Sequence, residues 1–342
     1  MRAIVIHAAK DLRIEEHEAE PVGPGQVAVR IGSGGICGSD LHYYNHGGFG
    51  AVRLREPMVL GHEIAGTVAE LGPGVSGLAV GMRVAVNPSR PCRHCRSCLR
   101  GLPNQCLNMR FYGSAMPMPH IQGGFRERLV CDAVQCVSAA RAGTDELALA
   151  EPFAVALHAV SRAGALPGRR VLVTGCGPIG ALVVVAARLA GAAEVVATDV
   201  VDEPLEIVRR LGADRAVNVA AEPAALAPEA AEKGRFGVMF ECSGNERALR
   251  AGLDVVEPRG TVVQLGLGGD VALPQNVLVA KELALVGSFR FHDEFAQAVS
   301  LIDCQRVDLA PMLTGRYDIA DAVAAFEHAS DRRRAMKVQL AF

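Results

Sequence analysis

The sequence lacks an excess of positive charge. Its 35 Lys and Arg residues are balanced by 37 Asp and Glu residues, so the formal net charge is -2. Proteins that bind the phosphate backbone of nucleic acids need a cationic surface, and the sequence contains no basic stripe interleaved with aromatic residues. We therefore predict that the chain does not bind nucleic acid.

Long apolar segments are also lacking. The longest, residues 181–193, is interrupted by Arg188 and is shorter than the roughly 20 apolar residues of a membrane span. Near the amino terminus, charged residues such as Lys10, Asp11 and Arg13 stand where a signal peptide would have an uninterrupted apolar region. We expect no membrane partner and a cytoplasmic location.

The ten cysteines do not indicate a disulfide framework. Such frameworks are typical of small secreted chains, whereas this chain has 342 residues and no recognisable secretion signal. Reduced thiols are expected, and metal binding is the first function to consider for them.

The length predicts about two domains. The first 150 residues are rich in Gly and Pro and contain short runs of strand-forming residues, at 3–6, 27–31, 64–68 and 83–86, which indicates an irregular, mostly β domain. From Arg170 onward, six continuous apolar runs alternate with helical segments; the runs are 171–173, 195–197, 216–219, 238–240, 261–265 and 283–286. Strands without polar alternation are covered on both faces, so this region predicts an α/β fold with a doubly wound parallel sheet.

A glycine motif follows the first of these runs. Gly175, Gly177 and Gly180 surround Pro178 and Ile179, between a predicted strand and an apolar helix. In such a motif the first glycine permits a tight turn and the second lets the backbone approach a pyrophosphate. The third allows close contact between helix and strand, while the phosphates meet the helix amino terminus. The context predicts a dinucleotide site.

Asp199 ends the next predicted strand and is placed to accept hydrogen bonds from the adenosine ribose. A carboxylate there repels a 2'-phosphate, which favours NAD over NADP. The alternative is that Asp199 caps a helix, although Asp202 suits that role better. Further cofactor contacts are expected from residues near the ends of later strands, namely Cys242, Ser243, Gly244, Leu265, Gly266, Ser288 and Phe289.

Four cysteines lie close together in the sequence, with the spacing C-x2-C-x2-C-x7-C: Cys92, Cys95, Cys98 and Cys106. Four thiolates give a closed tetrahedral zinc shell without an open coordination position, which predicts a structural zinc ion. An iron-sulfur cluster is the competing interpretation, although such clusters usually have different spacing.

Other potential metal ligands are dispersed: Cys37, the pair His62 and Glu63, and Glu151 before Pro152. Each has an ordinary explanation when it is considered alone. A single cysteine is usually a buried apolar residue, a single histidine usually a hydrogen-bonded loop residue, and a Glu-Pro pair is typical of a helix start.

Taken in order, the Gly61-His62-Glu63 motif, the four-cysteine segment, the Glu151-Pro152 pair and the glycine motif resemble the zinc-dependent medium-chain alcohol and polyol dehydrogenases over essentially the whole chain. The resemblance implies a GroES-like catalytic domain at 1–152 and 290–342, with a structural-zinc lobe at about 88–110. It also implies an inserted Rossmann domain at 153–289 that binds NAD. Similar enzymes are homodimers or homotetramers, and we expect the same of this chain.

The resemblance also implies a catalytic zinc held by Cys37, His62 and one carboxylate. Such a set is formally neutral and leaves a fourth position for water or a substrate oxygen. Simultaneous binding by Glu63 and Glu151 would add negative charge and weaken the Lewis acidity. The hypothesis is that these two glutamates alternate, or that one of them acts through a water molecule.

The same resemblance implies a route for the substrate proton and a class of substrate. Ser39 is expected to pass the substrate proton toward His42 and solvent, although His42 could also be an ordinary surface histidine. The expected reaction is oxidation of a secondary alcohol of a sugar acid, with a neutral polyol as the alternative. A planar guanidinium suits a carboxylate, and the expected substrate contacts are Tyr43, Arg110, Phe111, Glu151 and Arg290.

Two further expectations complete the sequence-based interpretation. The first is an alternative of another class, a non-catalytic protein that binds zinc and dinucleotide; the retention of Cys37, His62 and Glu151 argues against it. The second is that an apolar strand at 271–273 and the following residues 277–279 could pair across subunits.

Overall fold

A computed structural model describes all residues from Met1 to Phe342. The β-strands in chain order are β1 Arg2–Ala8, β2 Asp11–Glu16, β3 Gln26–Gly35, β4 Gly48–Phe49, β5 Val52–Arg53, β6 Met58–Val59, β7 Glu63–Leu71, β8 Arg83–Val86, β9 Ser89–Arg90, β10 Arg110–Phe111, β11 Arg128–Asp132, β12 Cys136–Ala139, β13 Arg170–Thr174, β14 Glu194–Asp199, β15 Arg215–Asn218, β16 Phe236–Glu241, β17 Val256–Gln264, β18 Ala284–Gly287, β19 Leu313–Asp318 and β20 Lys337–Ala341.

The α-helices are α1 Gly38–His46, α2 Arg96–Leu99, α3 Thr144–Leu147, α4 Ala150–Ala163, α5 Pro178–Leu189, α6 Asp202–Arg210, α7 Glu246–Val255, α8 Gln275–Ala280, α9 Glu294–Asp303 and α10 Ala322–Ser330. The chain forms two compact units. The first comprises Met1–Glu151 and Phe295–Phe342, and the second comprises Pro152–Glu294.

The first unit is mostly β, as predicted. Its main sheet has the strand order β12-β8-β7-β3-β20-β19, and β11 also pairs with β3. A smaller sheet has the order β2-β1-β6. Strand β3 is antiparallel to both β7 and β20, with Gly35 opposite Glu63 in one pairing and opposite Gln339 in the other. These two pairings bring the start of β7 and the start of β20 to the end of β3.

The second unit is a six-stranded sheet with the order β15-β14-β13-β16-β17-β18. All neighbouring strands are parallel, which confirms the predicted doubly wound sheet. The four central strands are built from buried Val, Leu, Phe and Met side chains, such as Val171, Leu172 and Phe240. Parallel strands of this kind need cover on both faces, and the apolar helix α5 supplies part of it.

One expected strand is absent. Residues 271–273 have no regular secondary structure, and residues 277–279 lie in the helix α8. A proline at position 274 stands between them as the N-cap of α8, and this explains why the second apolar run continues as a helix. None of the helices combines the length and apolar character needed to cross a membrane.

Candidate active site

Three predicted metal ligands come together at the end of β3 in the first unit. Cys37 follows β3 and is the N-cap of α1, while His62 and Glu63 lie at the start of β7. The register between β3 and β7 places Glu63 opposite Gly35. A side chain at Gly35 would collide with the Glu63 carboxylate, because a Cβ atom would lie 2.2 Å from Oε2. Glycine at this position therefore makes room for the carboxylate.

The side chains of Cys37, His62 and Glu63 form a compact donor set. One ligand atom from each of these residues lies within 4.8 Å of the others, and His62 and Glu63 are buried. The Nδ1 atom of His62 has no hydrogen-bond partner and lies 3.8 Å from an Asp40 carboxylate oxygen. A thiol, an imidazole and a carboxylate in a buried cluster are ligands that Zn²⁺ prefers, so the residues present fit the ion.

Asp40 is a residue of this site that sequence reasoning missed. It is fully buried and accepts hydrogen bonds from the backbone N–H of Cys37 at 3.0 Å and from that of Gly61 at 3.3 Å. Burial raises the pKa of Asp40, against the opposing effects of His62 and the bond from Cys37. Its carboxyl group thus joins the loop of Cys37 to the loop of His62. The only feature of the sequence that could have indicated this role is the interval of three residues between Cys37 and Asp40.

Lys337 is the second residue that the sequence did not reveal. Its Nζ donates to both carboxylate oxygens of Glu63 at 2.8 Å and to the carbonyl oxygen of Ile36 at 3.2 Å, and its side chain is buried. Burial alone would lower the pKa of Lys337, but the charges of Glu63 and Cys37 and the hydrogen bond to Glu63 raise it. Lys337 is therefore a cation directly behind the Glu63 carboxylate.

Glu151 comes from another element, the first turn of the helix α4. It is buried, but its carboxylate is not part of the group of ligand atoms formed by Cys37, His62 and Glu63. Burial raises the pKa of Glu151 to about 8, and the charges of Glu63 and Cys37 act in the same direction. Burial likewise raises the pKa of the Cys37 thiol to about 12. A bound cation would reverse both shifts, since metal ligands bind deprotonated.

The expected proton-route residues lie on α1, directly after Cys37. Ser39 is half-buried and His42 is exposed, with its ring 5.5 Å from that of Phe49. Partial burial and the nearby His46 lower the pKa of His42, which favours the neutral, proton-accepting form. Both groups therefore lie on the short helix that Cys37 caps, with His42 at the solvent side.

The expected substrate contacts of the first unit differ in exposure. Phe111 is buried and its ring centroid lies 5.4 Å from that of His62, while the neighbouring Arg110 is exposed on β10. Tyr43 is only 2% exposed, and its hydroxyl already accepts a hydrogen bond from the backbone N–H of Ala115 at 3.1 Å. Phe111 therefore forms part of the wall beside His62, whereas Tyr43 is built into the protein interior.

The four cysteines at 92, 95, 98 and 106 converge on one point. Their sulfur atoms lie within 4.8 Å of one another, with Cys95 3.6 Å from Cys98 and 3.9 Å from Cys106. Zinc–sulfur bonds of about 2.3 Å in a tetrahedron require sulfur separations of about 3.8 Å, so the arrangement fits zinc. Backbone N–H groups also point at the sulfurs, as from Cys92 to Cys106 at 3.2 Å and from Leu107 to Cys95 at 3.5 Å. Such donors stabilise thiolates.

In the second unit, the glycine motif has the geometry that the sequence predicts. Gly175 has a positive φ of 84°, and a Cβ atom there would lie 2.7 Å from the backbone of Ser243. A Cβ atom on Gly180 would lie 1.8 Å from the carbonyl oxygen of Gly175, so the turn and the helix touch. Gly177, the N-cap of α5, faces open space. The loop is thus closed on the protein side and open where a pyrophosphate would approach the helix.

Asp199 lies at the carboxyl end of β14 and is buried. One carboxylate oxygen accepts from the backbone N–H of Cys176 at 2.7 Å, and the other accepts from Val200 at 2.7 Å and Val201 at 3.1 Å. The helix α6 begins at Asp202 without a side-chain cap, so Asp199 is not its N-cap. The carboxylate is instead fixed beside the glycine loop.

Several other expected cofactor residues surround a buried carboxylate. Glu241 ends β16 and accepts hydrogen bonds from the backbone N–H groups of Ser243 at 2.9 Å and Gly244 at 3.0 Å, and from the Gln264 amide at 2.6 Å. The backbone N–H groups of Leu265 and Gly266 bond to its carbonyl oxygen. Glu241 thus organises the loops after β16 and β17. Of the remaining expected cofactor residues, Cys242 is half-buried, Ser288 has a buried hydroxyl, and Phe289 is exposed. Arg290, an expected substrate contact, has its guanidinium 4.9 Å from the Phe289 ring centre.

Comparisons with known proteins agree with the fold and the candidate site described above. Residues 23–141 match the alcohol dehydrogenase GroES-like domain, and residues 178–303 match the zinc-binding dehydrogenase domain. The chain is 42% identical to L-idonate 5-dehydrogenase (NAD(P)(+)) of Escherichia coli, covering 100% of this chain and 98% of that protein. The crystal structure of L-idonate 5-dehydrogenase from Escherichia coli superposes with a TM-score of 0.96, covering 100% of this chain and 98% of that one.

A more distant relative is the sorbitol dehydrogenase of Gallus gallus, which is 36% identical over 99% of this chain and 95% of that protein. The GroES-like and Rossmann-type architecture implied by the motifs is thereby confirmed. These relatives are an L-idonate dehydrogenase and a sorbitol dehydrogenase, and the resemblance to each extends over at least 99% of this chain. The chain therefore belongs to the zinc-dependent medium-chain alcohol and polyol dehydrogenase family.

Proposed function

We propose that this oxidoreductase transfers a hydride from a secondary alcohol of L-idonate to NAD, reversibly, giving 5-keto-D-gluconate. The observation that carries the proposal is the full-length similarity to L-idonate 5-dehydrogenase, combined with the compact cluster of the half-buried Cys37 and the buried His62 and Glu63. A sorbitol- or xylitol-type polyol dehydrogenase is the alternative, supported by the similarity to sorbitol dehydrogenase.

Cys37 and His62 would hold a catalytic zinc together with Glu63 or Glu151. Bound zinc acts as a Lewis acid that makes a coordinated hydroxyl group far more acidic. The contact between Lys337 and both oxygens of Glu63 supports alternation of the glutamates, because the ion pair competes with the metal for Glu63. Glu151 is then the carboxylate that is not held by a cation. A second, structural zinc would bind the four cysteines of the lobe.

The proton released by the substrate is proposed to leave through Ser39 and His42. The position of both residues on α1 and the lowered pKa of His42 support this route, since a neutral imidazole can accept a proton near neutral pH.

For the cofactor, we propose NAD rather than NADP. The fixed, buried carboxylate of Asp199 supports this choice because it would repel a 2'-phosphate. Pro178 and Ile179 are the first two residues of α5; Pro178 has no N–H to donate, so the donors toward the phosphates are the backbone N–H of Ile179 and those that follow it in the first turn.

Arg290 and Arg110 are the two candidates for recognition of the substrate carboxylate. A guanidinium fork binds a carboxylate through two hydrogen bonds. Replacement of either arginine by methionine should therefore impair turnover of L-idonate more than turnover of sorbitol. An equal loss with both substrates would argue against a carboxylate contact.

The test of the function is the NADH absorbance assay with purified, zinc-loaded protein. L-idonate, D-gluconate, D-sorbitol, xylitol and L-threonine are offered with NAD, and 5-keto-D-gluconate with NADH. Activity confined to L-idonate and 5-keto-D-gluconate would support the proposal. Preference for sorbitol or xylitol would retain the zinc chemistry and reject the sugar-acid assignment.

A non-catalytic protein that binds zinc and dinucleotide is the alternative of another class. The donor set of Cys37, His62 and Glu63 argues against it, since a protein that binds zinc only for structure has the four cysteines for that purpose and needs no second set of metal ligands. A zinc-loaded sample that binds NADH but oxidises none of the substrates would favour this alternative.

A homodimer or homotetramer is also proposed. Strand β18 is the edge of the six-stranded sheet, and its Ala284 and Leu285 are exposed. An edge strand has unpaired backbone hydrogen-bonding groups that a second copy can satisfy. Light scattering on a size-exclusion column, with Leu285→Pro as the disrupting variant, tests this proposal.

A further inference from the structure

Two cysteines lie side by side in the first unit. They belong neither to the set of Cys37, His62 and Glu63 nor to the four-cysteine lobe. The sulfur atoms of Cys131 and Cys136 are 3.5 Å apart, and neither thiol is in a disulfide. The proposed reaction uses neither of them. We propose that Cys131 and Cys136 form a reversible disulfide when the protein meets a peroxide, and that this pair is a redox-modification site of the protein.

The backbone holds the two cysteines at either end of a short turn. Cys131 lies in β11 opposite Val27 of β3, and Cys136 begins β12 opposite Val86 of β8. The 3-10 helix at residues 133–135 connects them, and its Ala133 N–H bonds to the carbonyl oxygen of Gly25 at 2.9 Å. Both ends of the turn are therefore fixed in the main sheet, and the thiols meet without rearrangement of the chain.

The remaining gap is small. A disulfide needs a sulfur separation of about 2 Å, so the sulfurs must approach by roughly 1.5 Å, which rotation about the side-chain torsions can supply. Two side-chain hydrogen bonds also hold the turn in place. The Gln135 amide N–H donates to the carbonyl oxygen of Asn87 at 2.8 Å, and the Tyr112 hydroxyl donates to the Gln135 amide oxygen at 3.2 Å. The backbone of the turn is thus held in place by hydrogen bonds while the two sulfur atoms approach.

The two thiols differ in access. Cys131 is 2% exposed, whereas Cys136 is half-buried. The hydrogen bond with Cys136, together with burial, raises the pKa of Cys131 well above its ordinary value. The partly exposed Cys136 is therefore the thiol that an oxidant reaches first, and Cys131 is the resolving partner.

The chemistry balances with hydrogen peroxide as the only oxidant. The Cys136 thiol is oxidised to a sulfenic acid while the peroxide O–O bond is reduced and one water leaves. The Cys131 sulfur then attacks the Cys136 sulfur, the S–O bond breaks, and the departing hydroxide takes the Cys131 proton as a second water. A dithiol such as dithiothreitol reverses the bond by thiol-disulfide exchange.

The pair would protect Cys136. A sulfenic acid without a neighbouring thiol proceeds to sulfinic and sulfonic acids, which thiols do not reverse. The neighbouring Asp132 pairs with Arg90 at 3.1 Å, and Arg90 lies on β9, which leads into the four-cysteine lobe. Cys136 itself lies opposite Val86, the last residue of β8 before β9, so an irreversible anion at Cys136 would arise near the base of that lobe, and disulfide formation prevents it.

Peptide mapping of the zinc-loaded protein tests the proposal. After exposure to hydrogen peroxide, the free thiols are alkylated under denaturing conditions and the chain is cleaved with trypsin. Cleavage after Arg128 and Arg141 leaves both cysteines in one peptide, residues 129–141, while the exposed Cys304 lies in another and serves as the reference for an isolated thiol. We expect most of peptide 129–141 to be unalkylated and lighter by two hydrogens, and to recover both alkylatable thiols after dithiothreitol.

Two variants separate the roles of the thiols. In Cys131→Ala, Cys136 should accumulate acids that dithiothreitol does not remove, and in Cys136→Ser the buried Cys131 should stay reduced. The proposal is overturned if peptide 129–141 keeps two alkylatable thiols after Cys304 has been oxidised. It is equally overturned if wild-type Cys136 accumulates dithiothreitol-resistant acids to the same extent as in Cys131→Ala. Cys131→Ala changes a buried residue and can impair folding. Because Cys136 is half-buried, Cys136→Ser provides a test in that case as well.

Discussion

Replacement of Lys337 by methionine should destabilise the first unit strongly in metal-free protein. The side chains of Lys337 and Glu63 are 2% and 1% exposed, and methionine keeps much of the lysine volume while it removes the charge. Loss of one partner from a buried ion pair leaves an uncompensated charge, which costs about 3–5 kcal/mol. For a unit of about 200 residues, this free energy corresponds to a fall of roughly 6–20 °C in the thermal midpoint.

The assay is thermal unfolding of chelator-treated protein, monitored by circular dichroism. Lys10→Met is the matched control, because Lys10 also pairs with a glutamate at 2.8 Å but both side chains are more than half exposed. Exposed pairs of this kind contribute at most about 1 kcal/mol. The double variant Lys337→Met with Glu63→Gln should recover most of the loss, since the uncompensated charge is then absent.

A Lys337→Met variant no less stable than Lys10→Met would refute the reasoning. A deficit of the predicted size that the double variant does not reduce would refute the assignment of the cost to Glu63.

Three further outcomes are expected. Cys98→Ser should lose one zinc per chain in atomic absorption and lower the thermal midpoint, whereas Cys304→Ser should change neither; retention of both ions would reject the four-thiolate site. Asp199→Asn, which removes the charge and keeps an oxygen acceptor, should raise the ratio of kcat/KM for NADP to that for NAD by about tenfold or more; an unchanged ratio would contradict the proposed role. Although burial alone would raise it, a hydrogen bond from His158 helps to lower the pKa of Glu294 to about 2. Its stabilising contribution is therefore present above about pH 4.5 and is lost as the pH falls toward 2, so the midpoint of Glu294→Gln should depend less on pH in that window than the wild-type midpoint.

Sequence reasoning located the features whose parts are close together in the chain. The glycine motif is one strand, one turn and one helix start, and its three glycines have distinct local tasks that the structure bears out at Gly175 and Gly180. The parallel sheet followed from the continuous apolar runs, because only strands covered on both faces can lack polar alternation. Where an apolar run is short and lies next to a proline, the same reasoning fails, as at residues 271–273.

The environment of the metal-ligand cluster was decided by tertiary structure. Lys337 is 274 residues away from Glu63 in the chain, and no motif connects them. Their contact arises because β3 pairs with β7 on one side and with β20 on the other. The pairing of Cys131 with Cys136 likewise depends on strands β3 and β8, which fix the two ends of one turn.

The sequence by itself determined the class of chemistry. It did so through the types of metal-ligating residues, the spacing of the glycines and the acidic residue at a strand end, because these depend only on residue type and local order along the chain. Tertiary structure alone decided which carboxylate is held by a cation and which thiols meet. Sheet register sets these distances, and burial sets the electrostatic energies that act across them.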